Sequence, residues 1–506
     1  MARVVVVGAG VGGLSAAARL AAAGHEVTVF EQADTVGGKL GRYTHDTPAG
    51  SFHFDTGPSL LTLPEVFTEL FEATGAKLDE YLDLVPLDPI VRHVFPDGGP
   101  CPATDAATGG RTILDSCADP VEFTDRIGAA FGERSAADWQ GLWRRAGRVW
   151  EASWRDVLCR PVDSPRDLAA LAWRLGDLAA IAPGRTLRGL GRRHLGDPRL
   201  RMLLDRYATY TGADPRRAPA ALVAVPYAEL AFGGWYLRGG LGTLADALLS
   251  RCLDLGVVVQ TGTAVTRIDA AGGRVHGVRL RGIAAPVPAD VVVANVDALT
   301  VYRDLLPSPG RLAGLADRSL AGFVLLLGVR GPTGLAHHNV FFPRDTDAEF
   351  DAVFGDPGRG RRARPAVDPT VFVTVADDPL VRPADHEAWF VLVNAARHGT
   401  AASAVDWRRP GLAEAYADRI LDVLAERGID VRDRLLFREI RTPADLHAAT
   451  ATPGGAIYGT AGGLLRPANR APAYGVHLVG GSTHPGGGLP MVTLSARIVA
   501  DRIGPS

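Results

Sequence analysis

The feature that most restricts this chain is its N-terminal stretch up to Glu31. Arg3 is followed by Val4, Val5, Val6 and Val7, a β-branched run that suits a strand buried on both faces of a parallel sheet. Gly8-Ala9-Gly10-Val11-Gly12-Gly13 comes next and fits G-x-G-x-x-G. Gly8 permits a tight turn, Gly10 lets the backbone approach a pyrophosphate, and Gly13 lets the next helix sit close on the strand. That helix runs through Leu14, Ala17, Ala18 and Leu20 and stops near Gly24; its N-terminal N–H groups and dipole favour phosphate oxygens. A second strand, residues 25–30, delivers Glu31 about 20 residues beyond the loop, where a carboxylate accepts hydrogen bonds from a ribose and repels a 2′-phosphate. A glycine-rich turn alone is weak evidence. Strand, loop, helix, strand and acid in this order predict a Rossmann-type dinucleotide site.

Gly37-Gly38-Lys39 follows after a short loop. Two glycines allow backbone to approach a cofactor, and a lysine neutralises phosphate charge. Lys39 and Lys77 are the only lysines in the chain, which reads first as compositional bias. Through Gly8, Gly10, Gly13, Leu14, Ala17, Gly24, Glu31, Gly37, Gly38 and Lys39 the chain resembles the flavoproteins with two dinucleotide-binding domains. These include amine oxidases, carotenoid desaturases and GDP-dissociation inhibitors. The resemblance implies FAD as the cofactor. It also implies that Asp55-Thr56-Gly57-Pro58 lies along the flavin, where turn chemistry alone reads as a simple turn. Val265 matches a position whose backbone reaches the adenine; the competing reading is a strand residue that only completes a sheet.

Near the C-terminus, a strand over 476–479 leads into Gly480-Gly481-Ser482, then Thr483-His484-Pro485-Gly486-Gly487-Gly488-Leu489-Pro490 and a helix from about Met491 to Ile503. Three glycines bare the first N–H groups of that helix, so Gly487, Gly488, Leu489, Met491 and Val492 sit where a dipole stabilises negative charge. The stretch resembles the C-terminal motif of phytoene desaturases and bacterial carotenoid desaturases. Looser likeness over 207–215, 232–242 and 453–459 extends it through most of the chain. The resemblance implies hydride removal from a polyene carbon to flavin, leaving a C=C bond. Relatives that isomerise, add a keto group, or oxidise other hydrophobic metabolites give the second reading, and non-enzymatic isoprenoid binders of the GDP-dissociation-inhibitor type the third. Many relatives place a carboxylate near Ser482 to hold the ribityl chain; here Ser482 or a backbone group takes that part. His484 is the candidate acid/base residue, because imidazole titrates near working pH; the competing reading is a histidine hydrogen-bonded within its loop.

These stretches predict an α/β protein: a Rossmann-like FAD-binding domain assembled from 1–85, 225–300 and 470–506. Substrate-domain parts are inserted at 86–224, mainly helical, and at 301–469, strands with helices. Strands are expected at 323–329, 370–375 and 389–394. The apolar, alanine-rich stretch 168–182, flanked by arginines, reads as a core helix or as an interfacial helix through which a lipid-soluble substrate enters. With 506 residues, 47% hydrophobic, the chain can bury more than one core. A net charge of −2 offers no attraction for nucleic acid. Four cysteines without C-x-x-C spacing suggest neither zinc nor disulfides and fit a reducing cytoplasm. No apolar run reaches about 18 residues, so any membrane contact is expected to be peripheral, on the inner face. Oxygen and quinone both stay open as the electron acceptor.

Overall fold

The computed structural model describes residues 1–96, 111–168, 174–461 and 466–506. Cys101 and residues 169–173 of the expected helix at 168–182 lie outside them; Leu175–Ile181 within that stretch is helical. The valine run forms strand β1 (Arg3–Val7), with each valine at most 5% exposed. It is the centre of a five-stranded parallel sheet with β2 (Glu26–Phe30), β3 (Val258–Gln260), β4 (Val291–Ala294) and β5 (Val476–Leu478), ordered β5-β4-β1-β2-β3. Val4 faces Val27 on one side and Val291 on the other. Three stretches of chain far apart in sequence therefore share one sheet.

Helix α1 (Val11–Ala22) covers β1. It closes at Gly24, whose φ of +90° suits glycine and whose N–H donates to the Ala21 carbonyl. Its small residues Ala16, Ala17 and Ala18 are fully buried, as are Leu14 and Leu20; each leucine contributes about 1.5–3 kcal/mol by leaving water. Further helices are α2 (Glu133–Ser153), α3 (Pro198–Arg206), α4 (Ala224–Phe232), α5 (Thr243–Asp254) and α6 (Leu489–Ile503). Helix α1 packs against both α5 and α6.

A second sheet has seven strands, in the order Leu435–Arg441, Ala321–Arg330, His386–Ala395, Val371–Val375, His338–Phe341, Arg92–Phe95 and Thr112–Asp115. The stretch expected to be mainly helical thus also donates two strands. Alternation decides its faces. Trp389, Val391 and Val393 join the core under helix Leu412–Glu426, while Phe390 and Leu392 point the other way, into a cavity. Helices α2, α3 and α4 form the opposite wall around Trp139, Trp150, Leu203 and Leu230. The cavity lies between this layered part and the C-terminal ends of the parallel strands, the usual ligand crevice of an open α/β sheet.

Candidate active site

The site begins where β1 turns into α1. A Cβ on Gly13 would stand 2.1 Å from the Gly8 carbonyl oxygen, and one on Gly8 would stand 2.8 Å from the Asn295 carbonyl. Side chains are therefore excluded by backbone, which does not yield. Asn295, at the end of β4, braces this loop; with its side-chain oxygen turned inward it accepts from the N–H groups of Gly13 and Gly10, at 3.2 and 3.3 Å. Gly37 lies alongside Gly10, its N–H donating to Ala9 at 2.9 Å. A Cβ on Gly38 would come within 3.3 Å of the Gly10 Cα. The two glycine loops form one bare surface.

Glu31 is 8% exposed. Its carboxylate accepts from the Ala9 N–H at 2.7 Å and from the Ala33 N–H at 2.9 Å. Each oxygen keeps a second lone-pair direction for a hydroxyl. Gly8, Gly10, Gly12, Glu31, Gly37, Gly38, Lys39 and Val265 line one cavity with Thr56, Gly57, Pro58, Gly480, Ser482, Gly487, Gly488, Leu489, Met491 and Val492. Its volume is about 1000 Å³, at the upper end of the roughly 300–1,000 Å³ of small-molecule sites. Gly13 lies beneath its floor, in the turn. The bare loops, the N-terminus of α1 and the adjacent carboxylate fit the pyrophosphate and ribose of FAD.

Asp55 and His484 lie outside this lining, and Lys39, within it, has its ammonium engaged by protein carbonyls. The Lys39 ammonium donates to the carbonyls of Ala456 and Ile457, at 3.1 and 2.6 Å, and burial lowers its pKa to about 8. Asp55 stands outside the cavity lining. Its carboxylate accepts from the N–H groups of Leu241 and Gly242, at 2.7 and 2.8 Å, and burial raises its pKa to about 6 against those donors. It ties the 50s stretch to the loop before α5. His484 is 2% exposed and also outside the lining. Its Nε2 donates to the carbonyls of Val157 and Arg160, at 3.0 and 2.8 Å, and burial lowers its pKa. With Nε2 held by two carbonyls just beyond α2 and the ring outside the cavity lining, His484 ties its loop to residues 157–160.

The loop after β5 carries the remaining contacts. A Cβ on Gly487 would fall 2.4 Å from the Tyr458 ring, and Gly488, with φ of +108°, opens α6 without a side-chain cap. Ser482 Oγ accepts from the Ala298 N–H at 2.9 Å. The carboxylate beside it comes from elsewhere in the chain: Asp297 lines the cavity and pairs with Arg318 at 2.5 Å, both side chains at most 3% exposed. Arg466 reaches the carbonyls of Tyr458 and Thr211, each at 3.3 Å, and burial lowers its pKa to about 10. Lys39, Arg318 and Arg466 against Asp297 make this end of the cavity positive. Sequence patterns singled out none of Asn295, Asp297, Arg318 or Arg466. The one usable signal was the position of Asn295 and Asp297 just past a parallel strand, where side chains meet the crevice. Elsewhere the walls carry the apolar Trp150, Met202, Val225, Phe342, Phe372 and Phe390, interrupted by polar side chains such as Arg206, Glu229 and Asn394.

Residues 11–321 match the family described as flavin containing amine oxidoreductase. Over 99% of its length the chain is 32% identical to 4,4'-diapolycopene oxygenase of Methylomonas sp, covering 98% of that protein. It is 34% identical to hydroxyneurosporene desaturase of Rubrivivax gelatinosus, covering 99% of this chain and 93% of the relative. Among solved structures, an oxidoreductase from Methanosarcina mazei aligns with a TM-score of 0.64 at 18% identity, over 99% of this chain and 100% of that one. A putrescine oxidase mutant aligns with a TM-score of 0.64 at 15% identity, over 99% and 98%; such likeness speaks for the fold alone. The chain belongs to the flavin containing amine oxidoreductases, and it is an FAD-dependent oxidoreductase of the carotenoid desaturase-like kind.

Proposed function

We propose that the protein oxidises a carotenoid or similar long polyene, removing two hydrogens from adjacent carbons to leave a C=C bond. The observation that carries this is a single cavity joining the bare glycine loops and Glu31 to an apolar chamber walled by Phe372, Phe390, Phe342 and Trp150. FAD, when bound, supplies the hydride acceptor. The chain's own part is to bind and orient. Glu31 and the start of α1 hold the nucleotide end. Lys39, Arg318, Arg466 and the N-terminus of α6 offer fixed positive charge where electrons accumulate. The aromatic and aliphatic walls exclude water and hold the polyene extended. One hydrogen leaves as hydride and the other as a proton. An allylic carbon delocalises the developing cation, so a strong base is not required.

The test is purified, flavin-loaded protein given polyenes in liposomes, followed by long-wavelength absorbance and product mass. Loss of two hydrogens supports desaturation; no product from any polyene overturns the polyene reading. A second reading, oxygen insertion, rests on the likeness to the Methylomonas oxygenase and is recognised by a gain of oxygen in the same mass measurement. We also propose that the substrate is drawn from a bilayer surface, since such a hydrocarbon is insoluble in water. Among the described residues no helix is long and apolar enough to cross a membrane. Absence of the protein from floated vesicles would remove the idea of surface contact.

A further inference from the structure

A second, smaller cavity of about 50 Å³ adjoins the main one. The two share Arg42, Ser59 and Phe390 in their walls. Ser59 comes directly after Thr56-Gly57-Pro58 and is 9% exposed, whereas Arg42 and His53, also in the wall of the smaller cavity, are exposed. The side cavity thus runs from the main chamber towards solvent. Ser59, Thr374, Tyr236 and Asp55 bring oxygen atoms to it. The Ser59 and Thr374 hydroxyls lie 3.0 Å apart. Whichever of them donates, the pair keeps a free hydrogen and free lone pairs. The Tyr236 hydroxyl donates to Asp378 at 3.0 Å and keeps its own lone pairs. The Asp55 carboxylate, held by the N–H groups of Leu241 and Gly242, has a second lone-pair direction on each oxygen.

A buried water needs about 10–15 Å³ of such space and polar partners to bond. The side cavity has room for about three waters and offers partners to each. The chemistry calls for such a place. When hydride goes to the flavin, the C–H electron pair on the neighbouring carbon becomes the new π bond, and its proton passes to an oxygen. A C–H bond beside an allylic cation is acidic enough for water to accept that proton. Among apolar walls the resulting charge is costly to hold, and Lys39, Arg318 and Arg466 repel it from the polar end of the main cavity. Ser59 and Thr374 accept on one side and donate on the other. Asp55 offers negative charge along the way, and burial holds its pKa up at about 6.

We propose that the side cavity is a water-filled proton outlet: the proton taken from the polyene passes by Ser59 and Thr374 to waters beside Asp55 and Tyr236, and leaves at the surface near His53 and Arg42. This rests on the polyene reading above. The test is a single anaerobic turnover of flavin-loaded protein with polyene in detergent, at mildly alkaline pH in weak buffer with a pH-indicator dye. Flavin bleaching and proton release are then followed together, and in the wild type they coincide. Thr374→Val keeps the shape of the side chain and removes its hydroxyl. Ala388→Val, from the neighbouring strand, places two methyl groups in the wall of the side cavity. Each variant keeps the flavin content of wild type, and in each the dye signal lags behind bleaching by about tenfold or more. The two act independently, so one decides should the other fail to fold. Proton release that keeps pace with bleaching in the variants, or that does not appear in the wild type, overturns the outlet and leaves the polyene reading intact. Absence of bleaching with every polyene overturns the polyene reading and the outlet with it.

Discussion

At the scale of single residues, the site depends on atoms that are absent. A Cβ on Gly13 would lie 2.1 Å from a backbone oxygen of the same turn, so Gly13→Ala must open the loop or displace α1. Flavin retention is expected to fall at least about tenfold, a loss of 1.4 kcal/mol or more, read as the ratio of flavin to protein absorbance after gel filtration. His484 gives the opposite kind of expectation. Its imidazole is kept neutral by burial, its folded pKa lying below the ordinary 6.5. The unfolded chain therefore takes up a proton first as pH falls, and the stability contributed by the neutral ring is present above about 6.5 and lost below it. His484→Gln keeps a donor for the Val157 and Arg160 carbonyls and cannot titrate. Its turnover with saturating polyene stays within about twofold of wild type. It melts at a lower temperature than wild type at pH 7.5, and that gap narrows at pH 5.5. A loss of turnover of a hundredfold with normal flavin content would restore an acid/base part for His484.

At the scale of elements, legibility in the sequence followed locality. β1, α1 and β2 were readable because valine run, glycine spacing and Glu31 are consecutive and each acts on its neighbours. The strands at 323–329, 370–375 and 389–394 were readable from apolar content; the structure lengthens the first and last, to Ala321–Arg330 and His386–Ala395, and starts the middle one at Val371. His484 was not readable: residues 485–492 beside it reach the cavity, but packing against a segment more than 300 positions earlier turns its ring away. The pairing of Asp297 with Arg318 was invisible for the same reason, since it depends on how the turn after β4 meets the start of the Ala321–Arg330 strand. This pair carries an expectation of its own. Asp297→Asn leaves Arg318 charged, buried and near the cations of Lys39 and Arg466. Breaking a buried pair in this way costs about 3–5 kcal/mol, measurable as a lower midpoint of urea unfolding. Asp297→Asn combined with Arg318→Met is expected to recover part of that loss, because no uncompensated charge remains.

At the scale of the whole molecule, the parallel sheet is closed by strands from three distant parts of the chain: β1 and β2, then β3 and β4, then β5. The cavity draws on the same three parts, through Gly10 and Glu31, through Val265 and Asn295, and through Gly480 and Gly488. A ligand that touches all of them holds the N-terminal loop, the middle strands and the C-terminal helix in one arrangement, and it does so only in the folded state. Binding to the folded state alone adds RT ln(1 + [L]/Kd) to stability, about 2.7 kcal/mol at a hundred times Kd. Protein stripped of flavin is therefore expected to melt several degrees below the loaded form, and to climb with the logarithm of added FAD. ADP, which carries the ribose and pyrophosphate but no flavin ring, reaches Glu31 and the first glycine loop without spanning to α6. It is expected to raise the melting temperature by a smaller step, and Glu31→Gln to diminish the steps of both ligands. If ADP stabilised the stripped protein as much as FAD at equal saturation, the C-terminal loop would have no share in holding the cofactor, and the bare glycines before α6 would need another explanation.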